Sequence, residues 1–162
     1  MEKSTRQKGI DYQKWIAKWI LKEFPEAVVH NLLPIATMKI IVDPKTKERR
    51  QIWVSRDLDL FNCIDLVVVL PHCPKIIYIQ ALHGYELTRK AEKIQRVPWN
   101  FDHATVHLWR KIETGRHIIS QARWKEGKQI EFYKIGEIKR GKYIPVIGNT
   151  LCDGRQSRVE AL

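Results

Sequence analysis

One acidic side chain stands inside the most apolar part of this sequence. Asp65 lies at the start of an apolar stretch that runs to Leu70, and fifteen residues later Gln80 is the one amide in a second apolar stretch, 75–82. A buried carboxylate is unfavourable unless a cation or strong hydrogen bonds compensate its charge. This is the arrangement expected of a metal-binding acid. A strand-end acid that caps a turn or pairs with Arg56 is the alternative.

The two apolar stretches predict the strands that must position these side chains. They are expected over residues 63–70 and 75–82, separated by the sequence Pro71-His72-Cys73-Pro74. Their almost continuous valine and isoleucine content predicts that both faces of each strand are covered, as in the middle of a sheet packed by helices. Residues 5–24 are expected to form an amphipathic helix, capped by Ser4 or Thr5 and ended by Pro25.

The other elements indicate an α/β protein with a mixed central sheet flanked by helices and a C-terminal β-hairpin. Six more strands are predicted at 27–33, 38–42, 51–55, 104–112, 116–123 and 128–138, with a second helix at 85–96, after a break at Gly84, and a turn at Glu126-Gly127. The crossover from strand 75–82 through the second helix should be right-handed and should make strand 104–112 parallel to it. We expect one domain over residues 1–145, followed by a tail over 146–162 that forms an arm or is disordered.

Composition favours a cytoplasmic protein with a polyanionic partner. The net charge is +11 in 162 residues, and a field of that sign attracts nucleic acid. The three cysteines show neither a CxxC pair nor zinc-ligand spacing, which argues against structural zinc and a disulfide framework. No secretory signal is evident, and every apolar run is shorter than a membrane span.

The succession of an opening helix, "IDLVVV", "YIQAL" and a basic helix resembles the PD-(D/E)xK nuclease superfamily over roughly Arg6 to Trp109. Archaeal Holliday-junction resolvases and small phage or viral nucleases are the members it looks most like. The resemblance implies a restriction-endonuclease-like fold, a homodimer and hydrolysis of DNA with Mg²⁺ or Mn²⁺. It also implies metal ligation by Asp65, by Gln80 in place of the usual glutamate and by the main-chain carbonyl of Ala81, with Gln13 at the position of the helix acid.

The chain departs from that pattern at Leu82, which occupies the position of the lysine that orients the attacking water. Lys90 or Lys93 on the second helix is the expected surrogate cation, and Asp57 or Asp59 could supply a missing carboxylate. The alternative is a nuclease fold with a decayed metal site, which binds DNA or RNA without cutting it.

Basic and polar side chains outside the motif are candidates for nucleic-acid contact. They lie near the start of the first helix, after strand 75–82, on the second helix and on the C-terminal hairpin: Arg6, Lys8, His83, Arg89, Lys90, Arg123 and Lys125. The sequence contains no recognition helix, zinc finger or RNP signature, so we expect the backbone and shape of the nucleic acid to be read rather than its bases.

Overall fold

The chain forms two helices and nine strands over its described residues, which in the computed structural model are 4–56, 60–83, 87–126, 129–146 and 151–152. The elements are α1 (Thr5–Glu23), β1 (Val28–Asn31), β2 (Ile35–Val42), β3 (Arg49–Arg56), β4 (Leu66–Val69), β5 (Ile76–His83), α2 (Leu87–Gln95), β6 (Ala104–Glu113), β7 (Arg116–Lys125), β8 (Gln129–Lys139) and β9 (Lys142–Pro145). In these ranges neither helix combines the length and apolar character needed to cross a membrane.

Seven strands make one large sheet in the order β1-β4-β5-β6-β7-β8-β9, while β2 and β3 pair only with each other. The strands β5 and β6 are parallel, as the crossover through α2 predicts, and the other neighbours are antiparallel. The α/β class and the mixed sheet are therefore confirmed. Most of the sheet is antiparallel, because β7, β8 and β9 extend it as successive hairpins.

Helix α1 forms where its amphipathic pattern predicts. The Ser4 side chain accepts a hydrogen bond from the main-chain N–H of Gln7 at 3.2 Å, which satisfies one of the free donors of the first turn. Its apolar face is buried, including Ile16 and Trp19. The indole N–H of Trp19 also donates to the carbonyl of Gly141 at 2.9 Å, which ties the helix to the turn between β8 and β9.

The large sheet separates two apolar clusters. On one face, side chains of α1 pack on alternate residues of β4 and β5, such as Leu66 and Ile79. On the other face, Ile94 of α2 packs with a second set that includes Leu82 and Leu108. We call these the α1 face and the α2 face. Because side chains alternate along a strand, the position of each candidate site residue of β5 assigns it to one of these two faces.

Several sequence-based boundaries require correction. Strand β4 begins at Leu66 rather than at residue 63, because residues 60–64 form a tight turn. Val69, at the end of β4, is 45% exposed, so the prediction that both faces of this strand are covered is wrong there. The sequence missed β9, and Leu151 packs in the α1-face cluster, so this part of the predicted tail belongs to the core. The predicted glycine break and hairpin turn fall on Gly84 and Gly127, which lie outside the described residues.

Candidate metal centre

The antiparallel pairing of β4 with β5 brings Asp65 opposite Gln80. Leu66 is the partner of Ile79 in the register, and the main-chain N–H of Asp65 donates to the carbonyl of Ile79 at 2.9 Å. The Asp65 carboxylate then accepts hydrogen bonds from the main-chain N–H of Ala81, at 2.7 Å, and from the side-chain amide of Gln80. The predicted pair is therefore in direct contact.

The Gln80 amide is 1% exposed and is only half satisfied. Its Nε2 donates both to Asp65 Oδ2 and to the main-chain carbonyl of Ala81, at 2.9 Å in the second case. Its Oε1 is buried without a hydrogen-bond partner in the described structure. A buried polar atom left in this state costs about 1–3 kcal/mol. The amide nitrogen thus sits between two oxygens, while its own oxygen lacks a donor.

This geometry fits a divalent cation. If the amide turned over about its terminal bond, Gln80 Oε1 would join the oxygens of Asp65 and Ala81 around one position. Three oxygens so placed repel one another unless a cation lies between them, and hard oxygen ligands are those that Mg²⁺ takes. In the orientation observed, the NH₂ group of Gln80 supplies the positive partial charge instead. Side chains alone supply few metal ligands, because the described residues contain no group of three His, Cys, Asp or Glu that could hold a metal ion.

Gln13 joins the site from α1, as its helix position predicts. It is 5% exposed, and its Nε2 donates to the main-chain carbonyl of Asp65 at 2.6 Å. The contact fixes the backbone of Asp65 rather than its carboxylate. Gln13 is therefore a positioning residue in this arrangement, because it holds the start of β4 against the helix.

The turn before Asp65 carries backbone strain. Phe61 and Asn62 both adopt left-handed conformations, with φ of 56° and 59°. Asparagine tolerates this region, whereas for a bulky residue such as phenylalanine it is uncommon and costly. The turn is held by main-chain bonds between Leu60 and Ile64, and Lys93 Nζ donates to the carbonyl of Asn62 at 3.2 Å.

Lys90 and Lys93, the predicted replacements for the family lysine, lie at different places relative to Asp65. Lys93 reaches the turn that precedes Asp65, whereas Lys90 lies half-buried one turn earlier on α2. Leu82 is 2% exposed in the α2-face cluster, so the position of the family lysine is filled by a core side chain. Asp57 and Asp59, and the side chain of Arg56, lie outside the described part of the chain.

A second polar cluster on the α1 face combines predicted and unpredicted residues. Lys8 and His83 line a pocket of about 550 Å³, as do Lys111 and His117. These residues converge because His83, Lys111 and His117 are aligned across three adjacent strands. His83 and Gln80 point to opposite faces of β5, so this pocket and the candidate metal centre are separated by the sheet.

His117 is the best-defined member of this pocket, and the sequence reasoning missed it. Its ring stacks on Trp15 at a centroid distance of 3.9 Å, and its Nδ1 lies 3.1 Å from the Tyr12 hydroxyl. Burial lowers the pKa of His117 to about 4, and the charge of Lys111 adds to this effect. The sequence carries one signal for this position: His117 alternates with Ile119 along the strand, which predicts that both side chains point inward.

The remaining residues that were predicted to contact nucleic acid are spread over the two helices and the β7–β8 hairpin. Arg6 and Arg89 are exposed on the two helices. Arg123 lies over the Tyr133 ring at 5.6 Å, and Lys125 pairs with Glu131 at 2.6 Å, so both are engaged within the β7–β8 hairpin. The hydrogen bond to Glu131 raises the pKa of Lys125.

The α2 face holds an aromatic pocket near Asp65 that sequence reasoning also missed. It has a volume of about 880 Å³ and is lined by Phe61, Tyr78 and Trp99, with Lys93 and Arg96 at the same pocket. The rings contact one another, with 5.3 Å between the centroids of Tyr78 and Trp99. Tyr78 is two residues before Gln80 and on the same face of β5, so the pocket adjoins the candidate metal centre.

Comparison with protein families, with curated proteins and with solved structures finds no match to this chain.

Proposed function

We propose that this chain is a metal-dependent endonuclease of the PD-(D/E)xK type that hydrolyses DNA phosphodiester bonds. The observation that carries the proposal is the meeting of Asp65, Gln80 and the Ala81 carbonyl, with Gln80 Oε1 buried and unpartnered. The restriction-endonuclease-like fold is part of the proposal. It is supported by the order of elements and by the parallel pairing of β5 with β6 on either side of α2.

The divalent ion, Mg²⁺ or Mn²⁺, would be held by the Asp65 carboxylate, by Gln80 Oε1 and by the carbonyl of Ala81. When bound, such an ion would polarise a phosphodiester and would lower the pKa of a bound water, which would make that water a better nucleophile. The chain itself supplies positioning through Gln13. It also supplies positive charge through Lys93, with Lys90 one turn away on the same helix.

The substrate class follows from charge. The net charge of +11 favours a polyanion, and Lys8 and Lys111 add cationic groups in the pocket on the α1 face, across the sheet from Asp65 and Gln80. DNA is the proposed substrate, and RNA is the alternative polyanion. The resemblance to junction resolvases further supports a homodimer, in which two sites would cut two strands.

Cleavage assays test the proposal directly. Supercoiled plasmid and a branched DNA junction are incubated with the protein in Mg²⁺, Mn²⁺ or EDTA. Asp65→Asn should abolish metal-dependent cutting and keep DNA binding in EDTA. Asp102→Asn, which makes the same change at an exposed acid, should cut like the wild type. Equal cutting by wild type and Asp65→Asn would refute the assignment.

A decayed nuclease that only binds nucleic acid is the second candidate. Two observations favour it: Leu82 fills the lysine position from within the core, and the Gln80 NH₂ group already compensates the oxygens of Asp65 and Ala81. This candidate predicts binding without cutting in every metal. The same assay therefore separates the two functions.

A further inference from the structure

The strands β2 and β3 form a two-stranded arm that stands apart from the large sheet. All eight residues of β2 are exposed, and none of the described arm residues belongs to either apolar cluster. Among the described elements, β2 and β3 pack extensively on each other and on no helix or strand of the rest of the chain. An isolated two-stranded hairpin is marginally stable in water. The arm therefore lacks the support that a protein core normally gives.

The arm also exposes large apolar side chains. Trp53 is 74% exposed and Ile40 is 59% exposed, and Met38 is directly opposite Trp53 in the register. Trp53, Met38 and Ile40 lie on one face of the ribbon, and Ile41 and Ile52 lie on the other. Large apolar side chains grouped and exposed in this way are typical of an interaction site.

The charge of the arm identifies the chemistry of the partner. Residues 35–56 contain six Lys or Arg and two acidic residues, a net charge of +4. Arg49 and Arg50 point to opposite faces because they are neighbours on one strand. Pairing between the arms of two copies would place like charges together, whereas a polyanion would neutralise them.

The dimensions of the arm fit a duplex groove. Two strands are about 4.8 Å apart, and eight residues extend about 27 Å. The major groove of B-form DNA, about 12 Å wide, admits a two-stranded ribbon. The corresponding groove of double-stranded RNA is deep and narrow, and side chains cannot read it. At the tip, Pro44 is held in a turn by Asp43 Oδ1, which accepts from the main-chain N–H of Lys45 at 2.7 Å and of Thr46 at 3.0 Å.

We infer that the β2–β3 arm is a DNA-binding ribbon that lies in a groove of double-stranded DNA. Its arginines and lysines contact phosphates on both sides of the groove, and Trp53 and its apolar neighbours contact sugars and bases. The inference rests on the proposed function, since it assigns duplex DNA as the form of substrate that the chain engages. It adds a contact surface outside the metal centre and outside the two pockets.

A charge-matched pair of variants tests the arm. Arg49→Ser/Arg50→Ser removes two charges from the arm, and Lys14→Ser/Lys18→Ser removes two from the exposed outer side of α1. Both lower the net charge equally. Affinity for a 20-base-pair duplex is measured in EDTA over a range of salt concentrations, so that cleavage plays no part. The arm variant should bind at least tenfold more weakly at ~0.1 M salt, and its salt slope should fall by about 2. The α1 variant should bind like the wild type.

A neutral variant separates contact from charge. Trp53→Ser should weaken duplex binding severalfold and leave the salt slope unchanged, because it removes no cation. Its thermal unfolding should match the wild type, since Trp53 is exposed. Wild-type protein should prefer duplex DNA to single-stranded DNA and to duplex RNA.

Two results would overturn the inference. One is equal binding by the arm and α1 double variants. The other is a change from dimer to monomer in Trp53→Ser with unaltered DNA affinity, which would assign the arm to self-association. If the arm variant cuts DNA as well as the wild type does, the assignment of the arm is refuted and the proposed function is not. If Asp65→Asn cuts as well as the wild type does, the proposed function is refuted and the assignment of the arm is not.

Discussion

The substitution Gln80→Glu tests the metal centre without requiring activity. In the wild type, the Gln80 amide donates to the Asp65 carboxylate and to the carbonyl of Ala81. A glutamate loses both donors and places a second negative charge beside Asp65. A hydrogen bond to a charged group contributes about 1.5–3 kcal/mol and a neutral one about 1 kcal/mol. We therefore expect a loss of about 3 kcal/mol in EDTA at pH 8.

The same substitution should make the protein depend on metal. For a domain of this length, 1 kcal/mol corresponds to about 2–4 °C, so Tm in EDTA should fall by roughly 6–12 °C. A divalent ion present at a hundred times its Kd restores about 2.7 kcal/mol, which is nearly the whole loss. Thermal unfolding in EDTA, Mg²⁺ and Mn²⁺ measures both effects. The metal-dependent rise in Tm should be larger for Gln80→Glu than for the wild type.

Gln121→Glu is the matched control. Gln121 is 5% exposed in the same sheet, and it donates to Thr105 Oγ1 at 2.8 Å and accepts from Arg123 at 3.3 Å. Its substitution adds the same charge away from Asp65 and beside an arginine. Its Tm should respond to metal no more than that of the wild type. If Gln80→Glu responds to metal no more than this control, the three oxygens do not form a metal site.

Three further outcomes are expected. Leu82→Lys should lower Tm markedly in thermal unfolding, because it buries an ammonium group in the α2-face cluster where Leu82 is 2% exposed; an unchanged Tm would contradict this packing. Burial lowers the pKa of His107 to about 3, so the folded state disfavours the proton that the unfolded chain binds below about pH 6.5. The contribution of His107 to stability should therefore be complete above that pH, and its loss should lower stability by about 2 kcal/mol between pH 7 and pH 5 in urea unfolding. His107→Gln should remove that part of the loss, whereas the part due to His117, whose pKa burial lowers to about 4, should remain. Gly136→Ala would place a Cβ in steric conflict with the Tyr143 ring, and it should destabilise the β8–β9 pairing by about 1–3 kcal/mol in the same measurement, an effect that Tyr143→Ala should relieve.

Local patterns predicted the elements well where one periodicity dominated. Helix α1 was predictable because its apolar residues recur on one side and Ser4 can cap it. Strands β5 and β6 were predictable because they are long and apolar, and their parallel pairing follows from the crossover through α2. The short strand β9 and the burial of Leu151 could not be predicted, since both depend on packing against strands that are distant in sequence.

The candidate metal centre was predictable in part. The residue types Asp65 and Gln80 could be identified from their place in apolar strands, and Gln13 from the motif. The orientation of the Gln80 amide and the unpartnered Oε1 depend on atoms of three segments that meet only in the fold. The cluster of Lys8, His83 and His117 was equally inaccessible, because it requires the register of β5, β6 and β7.

The sequence by itself determined most of the helices and strands, the excess of positive charge, and the one acid within the apolar stretch 63–70. Tertiary structure decided what that acid contacts, because strand register selects the neighbour of each side chain. It also decided that Leu82 belongs to the core and that residues 35–56 form an arm outside it. Both depend on which apolar surfaces find a partner within the chain. Hydrophobic periodicity marks a surface as apolar, but only the packed fold shows whether that surface is covered.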